Sequence, residues 1–184
     1  MRQEFGKSGR FNEYKLQPLV SEKECHYFDC GISEYNEYLL KDAVRSMADH
    51  IALTWLLTER TTGKIAAYMS LIMDAIKLSI AEKDLHNLKY PFRTIPAMKI
   101  AKLAVDSRYS EKFSGIGTFM IDTAIQLALA CNTTYCAARF ITVDADIEHD
   151  NGVLVFYEKN GFIPNAELYN KNRKTISMRK DIYS

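Results

Sequence analysis

Two glycines spaced two apart, Gly115 and Gly117, precede a run of residues with helical character. A helix that begins after such a loop has unpaired backbone N–H groups at its start, and the helix macrodipole favours negative charge there. The glycines have no Cβ to block a ligand, while Ser114 and Thr118 carry hydroxyl donors and Lys112 a positive charge. The pattern is typical of a phosphate site, and equally of a turn that only starts a buried helix.

Two well-known phosphate loops do not fit this stretch. A Walker loop needs Lys and then Ser or Thr after its last glycine, but Gly117 is followed by Thr118 and Phe119. A dinucleotide fingerprint needs a third glycine three residues after the second, where this chain has Met120.

The segments around the loop alternate between strand and helix patterns. Ser33 is the predicted N-cap of the first helix, Gly63 the turn of an antiparallel hairpin, and Pro91 the end of the second helix. The pattern predicts a mixed α/β domain with a strand, loop, helix and strand at its centre. Strands are predicted at 13–20, 51–58, 64–73, 97–106, 138–145 and 174–182, and helices at 33–47, 81–90, 118–130 and 153–159.

Composition indicates one globular domain over residues 1–184. The chain is 47% hydrophobic, and its 24 Lys+Arg and 23 Asp+Glu give a net charge of +1, so no global field steers it toward nucleic acid or anionic membranes. No apolar run is long enough to cross a bilayer, which predicts a cytoplasmic protein without a membrane partner. The four cysteines have the wrong spacing for a zinc site and are predicted to be reduced, mostly buried thiols.

Three motifs resemble the acetyl-CoA-dependent N-acetyltransferases of the GNAT superfamily: LAVD, K-x-x-G-x-G, and V-D-A followed by F-Y-E-K-N-G-F. The resemblance covers about Pro96 to Ile163. It implies a mostly antiparallel central sheet flanked by helices, a splayed central strand, and acetyl-CoA as co-substrate without a metal. It also implies that the coenzyme A diphosphate binds a loop formed by Lys112, Phe113, Ser114, Gly115, Ile116 and Gly117.

The resemblance assigns the pantetheine arm to the main chain of Leu103, Ala104 and Val105. An unpaired strand edge offers N–H and C=O groups to an arm that contains amides. Related chains often have Asn seven residues before the motif tyrosine, where this chain has Asp150, and the contact to the arm is predicted to pass to the adjacent Asn151.

Tyr157 is the catalytic residue that the resemblance implies. With an ordinary pKa of about 10, a tyrosine is protonated at neutral pH and can donate a proton to a departing thiolate, whose pKa is about 8.5. A Tyr ring that only packs in a short helix is the alternative.

No residue is assigned as general base. Related enzymes often carry Glu on the central strand, where this chain has Lys99 and Lys102. Asp144, Glu148 and His149 are the candidate substitutes, and each has an ordinary structural role available. An α-amine with a pKa of about 7.7 to 8 is partly neutral near pH 7 to 8 and can react without a base.

The acceptor is predicted to be a primary amine of a small molecule or peptide. The segment FDCGISEYNEYLLKDA (28–43) is similar to GNAT toxins that acetylate the amino acid on charged tRNA, but those tend to be basic. Acetylation of aminoacyl-tRNA is therefore the alternative, beside a non-catalytic coenzyme A-binding module, and a homodimer is compatible with the sequence. The basic residues near the C-terminus are interpreted as an exposed, charged strand edge: Lys171, Arg173, Lys174, Arg179 and Lys180.

Overall fold

The computed structural model describes residues 11–110, 115–150, 152–165 and 174–184. Within these ranges the chain forms one sheet of seven strands together with helices α1 to α6. The strands are β1 (Tyr14–Pro18), β2 (Leu53–Glu59), β3 (Ile65–Lys77), β4 (Thr94–Val105), β5 (Phe140–Asp146), β6 (Ile163–Pro164) and β7 (Thr175–Asp181). The helices are α1 (Ser33–Glu37), α2 (Ala43–Ala48), α3 (Ile80–Leu85), α4 (Ser107–Ser110), α5 (Ile116–Thr134) and α6 (Val153–Lys159).

The sheet has the strand order β1-β2-β3-β4-β5-β7-β6. Strand β2 pairs antiparallel with both β1 and β3, and β7 pairs antiparallel with both β5 and β6. The pairing of β4 with β5 is parallel. The predicted mixed, mostly antiparallel sheet is therefore confirmed, as is the β2–β3 hairpin, whose turn residue Gly63 has a φ of 70° that favours glycine.

The chain divides into two compact units, and strands β3 and β4 contribute to both. The first unit comprises the described residues of Met1–Ile72 and Ala101–Ala124. Its core contains side chains from the α1–α2 region, the β2–β3 hairpin and the end of β4, because the apolar residues of each element recur on one face. The members of this cluster are Leu19, Cys25, Phe28, Leu39, Ala43, Leu56, Ile65, Tyr68 and Ala104.

The second unit comprises the described residues of Met73–Ile100 and Ile125–Ser184. A hydrophobic cluster joins the end of β3, the segment around α3, the start of β4 and β5, and its members are Ile76, Leu78, Leu88, Ile95, Ala97 and Phe140. Within the described ranges, no helix has the length and apolar character that crossing a membrane requires. A single domain over residues 1–184 stays a prediction.

The first helical region differs from the prediction at its start and in its middle. Ile32 occupies the N-cap position without a side-chain hydrogen bond, and Ser33 is the first helical residue, so the predicted Ser33 cap is wrong. A π-helical turn over Tyr38–Asp42 separates α1 from α2. Such a turn adds one residue to the helical repeat, which an apolar spacing pattern does not reveal.

The second predicted helix ends five residues before its predicted end. Asn87 has a φ of 54°, and the Leu88 amide donates to the Lys83 carbonyl at 2.8 Å, which is the bonding of a left-handed C-terminal cap. This cap ends α3 before Pro91 can act. At the other end, Ser79 and Glu82 form a capping box.

The last strand is not the charged edge that the sequence suggested. Strand β7 lies between β5 and β6, and Arg179 is only 2% exposed. Its guanidinium pairs with Glu82 at 2.9 Å and donates to Asn165 at 2.7 Å. Lys180 donates to the Asn160 carbonyl. The predicted basic cluster is therefore partly internal, and its members Lys171 and Arg173 lie outside the described residues.

The cysteines are all free thiols, but they are less buried than predicted. Cys25 is buried, whereas Cys30 and Cys131 are half-buried and Cys136 is exposed. Among the residues that the structure describes, no group of three or more His, Cys, Asp or Glu side chains could hold a metal ion.

Candidate functional site

The start of α5 carries the described part of the predicted phosphate loop. Gly115 has a φ of 104°, a backbone conformation that L side chains rarely adopt, and among the described residues a Cβ there would meet nothing within 4 Å. The backbone conformation therefore favours glycine at this position. Ile116 is 1% exposed and anchors the first turn in the core. Lys112, Phe113 and Ser114 lie outside the described residues.

The backbone amides at the start of α5 are the groups available to an anion. The helical bonding begins where the Phe119 amide donates to the Gly115 carbonyl at 2.9 Å. The amides of Ile116, Gly117 and Thr118 precede this bond, so no carbonyl one turn earlier within the helix accepts from them. Gly117 and Thr118 are half-buried. This end of α5 can hold a diphosphate through N–H groups and the helix dipole.

Strand β4 continues beyond its pairing with β5. The parallel register runs from Ala97↔Phe140 to Ile100↔Val143, while β4 extends to Val105. The burial of β4 changes at the same place, because Ile100 is 3% exposed and the next residue, Ala101, is exposed. Within the described residues, the second half of β4 is therefore unpaired on its β5 side, as the splayed-strand prediction requires.

The N–H and C=O groups of the three predicted contact residues on β4 do not all point the same way. The Asp106 amide donates to the Ala66 carbonyl of β3 at 2.9 Å. Since main-chain groups alternate along a strand, those of Ala104 also point to β3, and those of Leu103 and Val105 point away from it. Of the three predicted contact residues, Leu103 and Val105 are therefore the two whose N–H and C=O groups can meet a ligand's amides.

A buried carboxylate, Asp106, fixes the end of β4. It is fully buried and accepts hydrogen bonds from the Asp29 amide at 3.0 Å and from the Arg108 guanidinium at 2.8 and 2.6 Å. Burial alone would raise the pKa of Asp106, but the hydrogen bonds from Arg108 and Asp29 outweigh it and lower that pKa. The final aspartate of LAVD thus joins β4 to the FDCG segment, a role that the sequence interpretation missed.

The FDCG segment is shaped by its own aspartate. The Asp29 carboxylate accepts from the Gly31 amide at 2.9 Å and from the Asn36 side chain at 2.8 Å. The Asp29 carbonyl accepts from both the amide and the hydroxyl of Ser107. This part of the toxin-like stretch therefore has a structural role: it attaches the start of α1 to the end of β4.

Replacing Asp106 by Asn should lower the free energy of unfolding by about 2–4 kcal/mol, because the Asp29 amide and the Arg108 guanidinium lose a charged acceptor. Urea unfolding at pH 7 measures this. The control Asp49→Asn breaks an exposed ion pair with Arg45 and should cost less than about 1 kcal/mol. An equal effect of the two substitutions would contradict the role of Asp106.

The acid sensitivity of the protein should also depend on Asp106. The folded-state pKa of this carboxylate lies below its ordinary value of 3.8, so its stabilising contribution is present above about pH 4 and is lost as the pH falls through the folded value. The Asp106→Asn variant should therefore lose less stability than the wild type between pH 5 and pH 3, measured by urea unfolding at each pH. An identical loss would contradict this account.

Tyr157 lies on α6 in the second unit, in an apolar setting. Its side chain is 7% exposed, and its ring contacts those of Phe156 and Phe162 edge-on, with centroids 5.1 and 5.2 Å apart. Burial raises the pKa of Tyr157 above its ordinary value of 10, and no hydrogen bond or charge among the described residues contributes. The phenol therefore keeps its proton across the neutral range and has a free donor.

The three candidate bases are each engaged with another charged or titratable side chain. Asp144 pairs with Lys99 at 2.5 Å, Glu148 pairs with Lys174 at 2.9 Å, and His149 bonds to Asp146 at 2.8 Å. Burial alone would raise the pKa of Asp146, but the hydrogen bonds from His149 lower it.

The other polar residues that the sequence analysis singled out are also held by neighbours. The ammonium group of Lys102 pairs with Glu34 at 2.7 Å and lies 4.5 Å from the centre of the Tyr35 ring. Asp150 accepts from the Gly152 amide at 2.7 Å, and Gly152 is the N-cap of α6. Asn151, to which the contact with the pantetheine arm was assigned, lies outside the described residues.

No family model and no curated protein matches the sequence, whereas many solved structures match the fold. A bacterial toxin has a TM-score of 0.76 at 13% identity, covering 92% of this chain and 91% of its own. AtaT complexed with acetyl-methionyl-tRNAfMet has a TM-score of 0.70 at 19% identity, covering 89% and 93%. A mutant of the AtaT toxin bound to the C-terminus of the antitoxin AtaR and acetyl-CoA has a TM-score of 0.68 at 18% identity, covering 91% and 94%.

These matches cover about nine-tenths of both chains. The chain has the fold of these toxins, and the expected GNAT-like architecture is confirmed. At these identities the likeness concerns the fold.

Proposed function

We propose that this protein is an acyltransferase that moves the acetyl group of acetyl-CoA to the α-amino group of an aminoacyl-tRNA. The observation that carries the proposal is the fold likeness to AtaT, which has been solved with acetyl-methionyl-tRNAfMet and, as a mutant, with acetyl-CoA. This likeness favours the tRNA acceptor over the small-molecule or peptide amine that the neutral composition suggested. The same likeness favours an antitoxin as protein partner.

The donor half of the proposal is supported by the first unit. The amides of Ile116, Gly117 and Thr118 are the donors for the diphosphate of acetyl-CoA, because they begin α5 without intrahelical acceptors. The main-chain groups of Leu103 and Val105 are the partners for the amides of its pantetheine arm. These groups act through the backbone, so most side-chain substitutions on β4 should leave donor binding intact.

The acceptor half of the proposal is supported by the state of the candidate bases. Asp144 and Glu148 already accept hydrogen bonds from the ammonium groups of Lys99 and Lys174, so neither carboxylate is free to take a proton from an amine, and His149, which bonds to Asp146, stays the one candidate base of the three. An α-amine, with a pKa of about 7.7 to 8, is substantially neutral near pH 8, whereas a lysine amine, with a pKa of about 10.4, is almost wholly protonated. The α-amino group of an aminoacyl ester is therefore the acceptor that needs the least help from this chain.

The protein is also proposed to protonate the thiolate that leaves when the acetyl group is transferred. The amine nitrogen attacks the thioester carbon, the carbon–sulfur bond then breaks, and the nitrogen loses its proton to solvent. In this proposal the Tyr157 hydroxyl donates its proton to the departing thiolate and is later reprotonated from solvent. A phenol whose pKa is raised by burial stays available as an acid throughout the neutral pH range.

Transfer of radiolabelled acetyl groups from acetyl-CoA tests this function. We expect label in tRNA when the acceptor is drawn from a panel of aminoacyl-tRNAs that includes methionyl initiator tRNA. We expect no label in the same tRNAs after deacylation, since the accepting amine is then absent. Free methionine and a lysine-containing peptide should react at least 100-fold more slowly at equal concentration, since neither offers a tRNA to bind. Equal transfer to the free amino acid or the peptide would overturn the proposal.

A further inference from the structure

An exposed arch with the sequence KYPFR, residues Lys89–Arg93, connects the region after α3 to β4 within the second unit. All of its residues are exposed, and the aromatic side chains of Tyr90 and Phe92 are 61% and 66% exposed. Single apolar residues on a surface are ordinary. Two aromatic rings spaced two apart and flanked by Lys89 and Arg93 form a combined aromatic and cationic pattern that core packing does not explain.

The arch is held in place although its side chains face solvent. Leu88 and Ile95, which bracket it, are buried to 9% and 5% exposure in the same hydrophobic cluster. The backbone between these two residues is held by Lys83, whose ammonium group donates to the carbonyl oxygens of Tyr90 at 3.3 Å and of Phe92 at 2.5 Å. Pro91 further restricts the backbone between the two rings. A ligand that binds here would therefore meet an ordered backbone and lose little chain entropy from the protein.

The charges of the arch are available to a ligand. Neither Lys89 nor Arg93 forms an ion pair with a carboxylate among the residues that the structure describes. By contrast, Lys174 and Arg179 of the C-terminal basic cluster are both held in ion pairs. The arch therefore offers cations to an external anion at a place where the sequence did not suggest a basic surface.

We propose that the Lys89–Arg93 arch is a binding site for unpaired nucleotides of RNA, which under the proposed function belong to the tRNA substrate. The rings of Tyr90 and Phe92 stack on exposed bases, while Lys89 and Arg93 contact the adjoining phosphates. Two aromatic side chains with a basic residue on either side suit a strand whose unpaired bases are joined by phosphates. An apolar protein surface would use the rings but would leave both cations without partners.

Fluorescence anisotropy with labelled, unacylated initiator tRNA, in the absence of acetyl-CoA, tests the aromatic part of the site. We expect the double variant Tyr90→Ala/Phe92→Ala to weaken binding by roughly 25-fold or more, since each of the two base stacks contributes about 5- to 150-fold. The double variant Tyr90→Leu/Phe92→Leu keeps apolar surface but no aromatic face, and it should be similarly weakened. Wild-type affinity in the leucine variant would overturn the stacking assignment.

The salt dependence of the same titration tests the cations. Each phosphate contact on a single strand contributes about 0.7 to the slope of log affinity against log salt, so Lys89→Ala/Arg93→Ala should reduce the slope by about 1.4. The matched control Lys23→Ala/Lys64→Ala removes two exposed lysines of the first unit and should leave the slope near that of the wild type. Equal slopes for the two pairs would overturn a discrete site at the arch.

Two further measurements distinguish RNA binding at the arch from a subunit interface and from binding of acetyl-CoA. Sedimentation reports whether the protein is a monomer or an oligomer in solution. Arch variants that change this oligomeric state but not the affinity for tRNA would overturn the RNA assignment. Calorimetry with acetyl-CoA should give wild-type affinity in every arch variant, since the arch does not bind the donor. If the wild type binds tRNA through the arch but transfers no acetyl group, the proposed function fails and the arch site stands. If the wild type does not bind the tRNA, the arch site fails.

Discussion

Replacing Gly117 by Glu should weaken acetyl-CoA binding by about 100-fold or more in calorimetric titration. The substitution introduces a carboxylate in the first turn of α5, where the proposal puts the diphosphate. Like charges brought together at a binding interface cost several kcal/mol, and each 1.4 kcal/mol is tenfold in affinity. The helix itself should tolerate the change, because Glu has a higher helix propensity than Gly.

The matched control is Gln126→Glu, which adds the same charge at an exposed position further along α5. It should bind acetyl-CoA like the wild type, which would show that net charge alone does not account for the loss. Thermal unfolding of both variants checks that the helix is intact. Wild-type affinity in the Gly117→Glu variant would mean that the start of α5 does not bind the diphosphate, and the paired glycines would then be only a turn.

Replacing Tyr157 by Phe should lower kcat for acetyl transfer by about 10²- to 10⁴-fold, the usual contribution of a general acid. Binding of acetyl-CoA should be unchanged, because the assignment gives the hydroxyl a role only when the thiolate departs. Stability should also change little, since no protein group among the described residues hydrogen-bonds to this hydroxyl and removing it leaves no partner unsatisfied. Single-turnover kinetics and calorimetry on the same preparation measure the two effects.

The pH profile adds a second criterion for Tyr157. Because burial raises the pKa of this phenol above 10, the acid form persists and kcat should not fall on the alkaline side before about pH 10. The control Tyr135→Phe removes a hydroxyl from a ring that is 86% exposed, and it should retain wild-type kcat. A Tyr157→Phe variant that also retains kcat would show that the ring only packs against its neighbours.

Local patterns predicted most of the fold because the deciding interactions are close in sequence. The bounds of α6 agree with the prediction at Val153–Lys159, since an apolar run ends at Gly161, whose φ is 81°. The β2–β3 hairpin was likewise fixed by two apolar runs around a glycine turn. The predicted end of α3 was wrong because Asn87 adopts a left-handed conformation. Asn tolerates this conformation better than most residues, but an Asn in the sequence does not by itself predict it.

Features that depend on distant partners could not be predicted from the chain. Arg179 looked like a solvated edge residue, and only its contacts with Glu82 and Asn165 make its burial favourable. Asp106 looked like the end of a strand, yet it joins β4 to the FDCG segment through Asp29. The phosphate loop and Tyr157 were identified from motif resemblance, and both remain predictions that the experiments above test.

Mass spectrometry of the 3′-terminal aminoacyl-adenosine tests the central claim most directly. The protein is incubated with acetyl-CoA and an aminoacyl-tRNA, the RNA is digested with nuclease, and the terminal fragment is compared with that from the Tyr157→Phe reaction. We predict that the aminoacyl group gains the mass of one acetyl group on its α-nitrogen, and that the variant gives little of this product. An unmodified fragment for every aminoacyl-tRNA, obtained with protein that binds acetyl-CoA, would contradict the account.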